Sequence, residues 1–505
     1  MMTTAEMRLE PRAGAREWWG LVVLMLPVVL ISADNTILNF ALPEISEALL
    51  PTGTQLLWIL DVYPLVLAGL LVTMGSIGDR LGRRKLLLIG ATGFGVVSIL
   101  AAFAPSAEAL IAARAALGLF GATLMPSTLS LLRNLFLNRE QRRLAIAVWG
   151  TGFAGGGALG PIAGGFLLEH FWWGSIFLLA VPVLLPLFIL LPILVRESRD
   201  PVDAPIDLLS AALVLLTMVP FVWSIKHSAE DGVDVAAGVA FVAAVAFGIL
   251  FVMRQLKLEH PMLDVSLFRN AAFSGAIVIN LFSIIAFVGG LFFITQHLQL
   301  VLGLSPMIAG LVLLPGLAVM IIAGLAIVPI ARNVRPSLLV AVSLVFSVLC
   351  YGSIAVQGGA VGVLGVALAV VSLGIGVGAA ETITNDLILA NAPAAKAGAA
   401  SGLSETAYEL GSVLGVATLG TVLTASYRGH IVIPEGVGGA DAAAAGETLG
   451  GAVQVASELP SALGSALYDA AVSAFGSGVS ITSWLAAGII VAAIVVSLTT
   501  LRHAR

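Results

Sequence analysis

Six carboxylates, Asp34, Asp61, Glu381, Asp386, Glu405 and Glu409, lie in or at the edge of helix-length apolar runs that otherwise hold essentially one cation, Arg114. A charge at the centre of a bilayer costs at least about 2.5 to 3.5 kcal/mol, so a chain keeps several only where they serve a purpose. Acids held in hydrocarbon point to the handling of protons or cations. Glu405 and Glu409 are four residues apart and share one helix face. Two like charges so placed repel, and the pair is expected to hold a proton for part of any working cycle. An isolated arginine is untenable in lipid, so Arg114 must face a cavity, backbone carbonyls or a carboxylate, and Asp34 is one candidate. Trp58 and Tyr63 flank Asp61 and either offer ring faces to a lipophilic cation or anchor their helix end at the interface. In AAETITNDLIL, Glu381 is the deeper acid, a candidate for the substrate path, and Asp386 is expected to be solvated near a helix end.

The elements that must position these acids are membrane spans. The 505 residues are 59% hydrophobic and 10% charged, with a mean hydropathy of +1.06, which excludes a soluble globular domain and predicts an all-α polytopic membrane protein. Apolar runs of about 20 residues, enough to cross roughly 30 Å of hydrocarbon, can be placed fourteen times. With the N-terminus inside, 21 of the 24 Lys and Arg fall on the cytoplasmic side, leaving Arg114 within the fourth span and Lys226 and Arg428 outside. Both termini are therefore expected in the cytoplasm. The first 17 residues are polar, with Arg8, Arg12 and Arg16, and the long span that follows has no small-residue cleavage site and reads as a retained start-transfer helix, not a signal peptide. The stretch 427–480 is the one long extramembrane segment. Its apolar spacing, broken at Pro460, predicts two short helices folded back as an external hairpin, with a disordered loop as the alternative.

Other chemistries find no support. The six histidines are scattered near span ends without metal-ligand spacing, and the single Cys350 lies in an apolar run and permits no internal disulfide. The GIGVGAA run at Gly374 to Ala380 follows no strand, and no GxxxxGK[ST] motif exists. No enzyme activity, cofactor, metal or nucleic-acid partner is expected.

Four segments carry ordered spacing. GSIGDRLGRRKLLL links the second and third spans: Gly75, Gly78 and Gly82 permit close backbone approach, Asp79 can cap or face a helix N-terminus, and Arg80, Arg83 and their neighbours hold the loop at the inner surface. TGFAGGGALGPIAGG repeats Gly152, Gly156, Gly160 and Gly164 every fourth residue around Pro161, a flat face for close helix packing with a bend. ADNTILNFALP carries Asp34, and RAALGLFGATLMP carries Arg114.

Together these segments resemble the major facilitator superfamily, and within it the 14-helix drug:proton antiporters. LWILDVYPLVLAG, LMPSTLSLLR, PMLDVSLF and SETAYELGSVLG look like the QacA and LfrA type of multidrug efflux pump. The resemblance implies a major facilitator fold of two six-helix halves, 1–200 and 259–505, with two extra transmembrane helices in 201–258. It implies a conformational gate at Gly75, Asp79, Arg80, Gly82 and Arg83, and an antiporter helix at Gly156, Gly160, Pro161 and Gly164. Asp34 and Glu405 become the leading proton and cation carboxylates, with Glu409 and Asp61 in support. The expected activity is that of a monomer in a bacterial inner membrane, driven by the proton gradient. It would export lipophilic cations such as quaternary ammonium compounds, ethidium and acridine dyes, with fluoroquinolones as a further candidate. An exporter of an endogenous lipid or metabolite, and a passive channel or facilitator, are the alternatives.

Overall fold

The computed structural model describes residues 12–199, 207–230, 234–259, 265–331, 333–391 and 397–502, with positions 232, 261 and 263 between them. The regular secondary structure of the described residues is all helical, with no strand. Among the described residues, thirteen helices are long and apolar enough to cross a membrane. The remaining expected span coincides with a helix of 32 residues, Arg139–His170, whose first turns carry the sequence REQRR.

In chain order the helices are α1 (Ala15–Leu49), α2 (Gly53–Leu81), α3 (Arg83–Ala102), α4 (Ala107–Leu135), α5 (Arg139–His170), α6 (Ser175–Leu178), α7 (Ala180–Leu194), α8 (Leu208–Glu230) and α9 (Val235–Gln255). They continue as α10 (Ala271–Gln296), α11 (Pro306–Ala331), α12 (Pro336–Gln357), α13 (Val363–Ala390), α14 (Ala397–Gly415), α15 (Thr421–His430), α16 (Gly439–Glu447), α17 (Leu449–Glu458) and α18 (Ser461–Thr500). The pair α6 and α7 makes one crossing, and so do α14 and α15, joined by a π turn at Val416–Gly420. One end of the bundle carries the α2–α3 turn with its arginines, here the basic face. The other carries α16 and α17, here the hairpin face.

Local chemistry sets the boundaries. Leu50 turns α1 off in the left-handed region (φ 44°), and Thr52 then opens α2 with a reciprocal cap: its hydroxyl accepts from Gln55 N (3.1 Å) while Gln55 Oε1 accepts from Thr52 N (2.9 Å). Asp234 caps α9 by accepting from Ala237 N at 2.8 Å. At the basic end of α8, partial burial pushes Asp207 up, but hydrogen bonds from Ser210 and the Arg254 guanidinium outweigh it and hold its carboxyl below the usual range.

After His430 the chain forms the two short helices α16 and α17. Beyond Pro460 it runs without a break into α18, whose 40 residues include the last span. The second half of the expected hairpin is thus the projecting end of a membrane helix.

Two packing seams position the acids. The helices α1 and α5 lie against each other along the glycine row, where a methyl group built on Gly156 would fall 2.5 Å from the Val29 carbonyl oxygen. Farther along α5, the Pro161 carbonyl meets Gly310 of α11, so this helix also touches the C-terminal half. The second seam is filled by α8: its Met218 and Val222 cluster with Leu65 and Ala68 of α2 and with Val413 of α14 and Ala417 of the π turn. One of the two extra helices therefore packs into the groove between the halves, and α9 lies outside against α8.

Candidate functional site

Asp34 on α1 and Arg114 on α4 form an ion pair, Nη1 to Oδ2 at 2.5 Å, with side chains 13% and 1% exposed. Arg114 Nε also donates to the Ile59 carbonyl of α2 at 3.2 Å, and its guanidinium lies 4.5 Å from the centroid of the Tyr63 ring. Three helices thus converge on one buried cation, satisfying it with a carboxylate, a carbonyl and a π face, as an intramembrane arginine requires. Asp34 keeps an opening despite its partner.

Asp61 on α2 is paired as well, with Lys226 of α8 at 2.8 Å; the two side chains are 1% and 0% exposed. The charge distribution along the sequence puts Lys226 among the outer loops, and its turn inward corrects that placement. Its Nζ sits 4.3 Å from the centroid of the Trp58 ring. Both aromatic faces beside Asp61 are therefore taken by cations of the chain itself. Tyr63 is fully buried, which is not the position of an interfacial anchor.

The C-terminal half contributes acids that have no basic partner of this kind among the described residues. Glu409 on α14 is 2% exposed, and its Oε2 has no hydrogen-bond partner among the described residues. Glu405, one turn earlier, and Glu381 on α13 are half-buried, and Asp386 is exposed near the basic end of α13. Tyr408 lies within electrostatic reach of Glu381, Glu405 and Glu409, and Tyr63 within reach of Asp34, Arg114 and Glu409. Glu409 and the Asp34–Arg114 pair thus lie within reach of the same tyrosine, Tyr63. Polar links run nearby, with Ser404 donating to Asn385 Oδ1 at 2.5 Å. A narrow apolar pocket opens between the halves, lined by Thr36, Phe40, Pro161, Phe287, Leu313 and Val370 among others. No cluster able to hold a metal ion is present among the described residues.

The basic loop is organised by a residue that no sequence motif singles out. Gly82 takes φ 109° between α2 and α3, a conformation that favours glycine. A methyl group there would fall 2.8 Å from Glu197, whose carboxylate accepts from Arg84 N (2.9 Å) and Lys85 N (3.2 Å). Glu197 thereby caps the N-terminus of α3, the role that the sequence offers to Asp79, whose side chain lies outside the described residues. Arg83 N donates to the Ser198 carbonyl at 3.0 Å and Arg84 Nη1 to the Val195 carbonyl at 3.0 Å. Arg80 is exposed, and Gly75 packs near Pro126 of α4. The basic loop is tied to the end of the sixth crossing.

Residues 24–416 match the family model described as Major Facilitator Superfamily. The chain is 54% identical over 482 residues to the multidrug efflux pump LfrA of Mycolicibacterium smegmatis, covering 95% of this chain and 96% of that one. It is 35% identical over 468 residues to the methyl viologen resistance protein SmvA of Salmonella typhimurium, covering 91% and 93%. It is also 32% identical over 498 residues to the tetracenomycin C resistance and export protein of Streptomyces glaucescens, covering 96% and 92%. Among solved structures, a bacterial homologue of the human lysosomal transporter Spinster in an inward-facing, unoccupied conformation shares the fold with a TM-score of 0.66 at 15% identity, over 98% of this chain and 100% of that one. Buried acids between two helical halves, and relatives aligned over nearly the full length, lead to one conclusion: the chain belongs to the Major Facilitator Superfamily and is a multi-pass transporter of small molecules, not an enzyme.

Proposed function

We propose that this chain is a proton-coupled antiporter of the 14-helix, QacA/LfrA type, exporting lipophilic cations across a bacterial plasma membrane by alternating access, with both termini and the basic face cytoplasmic. The observation that carries this reading is Glu409, a buried carboxylate at the seam with an oxygen that has no partner among the described residues. Arg114 neutralises Asp34 in this state, so Glu405 and Glu409 are the acids free to exchange a proton for a cation. A proton and a cationic drug each occupy the charge the other vacates, and that competition couples their opposite movements. If two carboxylates titrate for each monovalent cation, one net charge moves inward per cycle, gaining roughly 2.3 kcal/mol per 100 mV.

Names of relatives support a cationic cargo: SmvA is a methyl viologen resistance protein, and methyl viologen is an aromatic dication that two acids can balance. The narrow pocket beside α1 has an apolar lining that would meet the greasy part of such a molecule once the seam widens. The tetracenomycin C relative favours a second reading, export of a metabolite. One experiment separates them. In proteoliposomes under an imposed pH difference alone, the antiporter moves ethidium against its gradient and releases protons when ethidium binds. Uphill movement of an uncharged metabolite, with ethidium left behind, would favour the second reading, and downhill flux only would leave a passive facilitator.

A further inference from the structure

Lys226 has no part in the proton and cation exchange described above, yet it is one of the most completely buried side chains in the molecule. It belongs to α8, one of the two extra helices, and reaches into the groove between the halves, where α8 packs on α2 and α14. Burying an ammonium and a carboxylate together is expensive, and apolar side chains of similar size commonly serve stability as well or better. The surroundings of Nζ have a definite chemistry. Asp61 is 2.8 Å away, and the Trp58 ring lies below at 4.3 Å. A carboxylate beside an indole face is an arrangement that recognises ammonium ligands. The 2.8 Å contact is first of all an attraction between opposite charges, and that part of it a cation lacking N–H groups can also satisfy.

Lys226 also has somewhere to go. Four residues separate it from the end of α8 at Glu230, about 6 Å of helix rise, and a four-carbon stem can carry its ammonium that far toward the hairpin face.

We propose that Asp61 and Trp58 form a second cation site and that Lys226 is its resident occupant, a tethered cation that an incoming ammonium or quaternary lipophilic cation displaces. This rests on the export of cations proposed above and deepens it. The extra helix α8 then keeps the site neutral and closed to water until a substrate of the right charge arrives.

The test is ethidium binding to the purified full-length chain, read by fluorescence polarisation in wild type, Lys226→Met, Lys226→Gln, Asp61→Asn and the double variant Asp61→Asn with Lys226→Met. If Lys226 holds the site about nine-tenths of the time, its removal lowers the apparent Kd about tenfold. The double variant loses that gain. Unchanged or weaker binding in folded Lys226→Met or Lys226→Gln overturns the tethered-cation role while leaving the exporter reading standing. Should all three single variants unfold and only the charge-neutral double variant fold, the pair is structural and the proposal is overturned. Absence of ethidium binding in wild type and every variant would overturn the cation reading itself.

Discussion

At Arg114, a carboxylate from α1, a carbonyl and an aromatic face from α2 are gathered on one guanidinium of α4. Removing one partner of such a pair leaves the other charge uncompensated, at a cost of about 3–5 kcal/mol for a fully buried pair. Asp34→Asn is therefore expected to lower Tm as well as abolish ethidium export. Asp34→Asn with Arg114→Met should regain much of the stability but none of the transport. Wild-type export by Asp34→Asn would remove this acid from the mechanism. Glu409→Gln should behave differently: with Oε2 lacking a partner, stability should stay within about 1 kcal/mol of wild type, while proton release on ethidium addition disappears. Undiminished release would shift the exchangeable proton to Glu405. The acids are legible in the sequence because a charge in an apolar run stands out. Lys226 is not, because a lysine near a span end reads equally well as a snorkelling anchor, and only packing tells which way it turns.

At the scale of elements, α5 shows how a repeat becomes a seam. Its glycines bring α1 close enough that Gly156→Ala would press a methyl group against the Val29 carbonyl at 2.5 Å, whereas the same change at Gly157 meets only Ser32 Oγ at 3.6 Å. The expected penalty at Gly156 is about 1–3 kcal/mol, seen as a lower Tm, with Gly157→Ala close to wild type. Equal effects would mean that α5 packs on α1 in another register. The spacing of four announces a flat face; it does not announce that α1 on one side and α11 on the other share the helix. The basic loop divides likewise. A turn at Gly82 follows from its sequence, but the capping carboxylate of Glu197 comes from more than a hundred residues away, and no local pattern marks it.

For the whole molecule, the halves are stitched together at the hairpin face. Ser46 of α1 and Thr448 before α17 share a hydrogen bond of 3.0 Å, Gly53 N donates to Glu447 at 3.2 Å, and Gln299 Nε2 donates to the Phe40 carbonyl at 3.2 Å. Alternating access requires this face to open. A disulfide between Ser46→Cys and Thr448→Cys, made with Cys350 replaced by Ser, should reduce ethidium export at least about tenfold, a block of about 1.4 kcal/mol or more, and dithiothreitol should restore it. Full activity in the crosslinked protein would show that the halves do not part there.

The sequence by itself determined that the chain is a bundle of membrane helices and that acids sit within it, since hydropathy, the distribution of basic residues and helix-length periodicity are local properties of the residues. Tertiary structure alone decided how those charges are shared: Asp34 with Arg114, Asp61 with Lys226, and Glu409 with no such partner among the described residues. The reason is that pairing in hydrocarbon depends on which helices become neighbours, and neighbours in a bundle are chosen by side-chain packing along whole helix faces rather than by any residue that the charge itself can see.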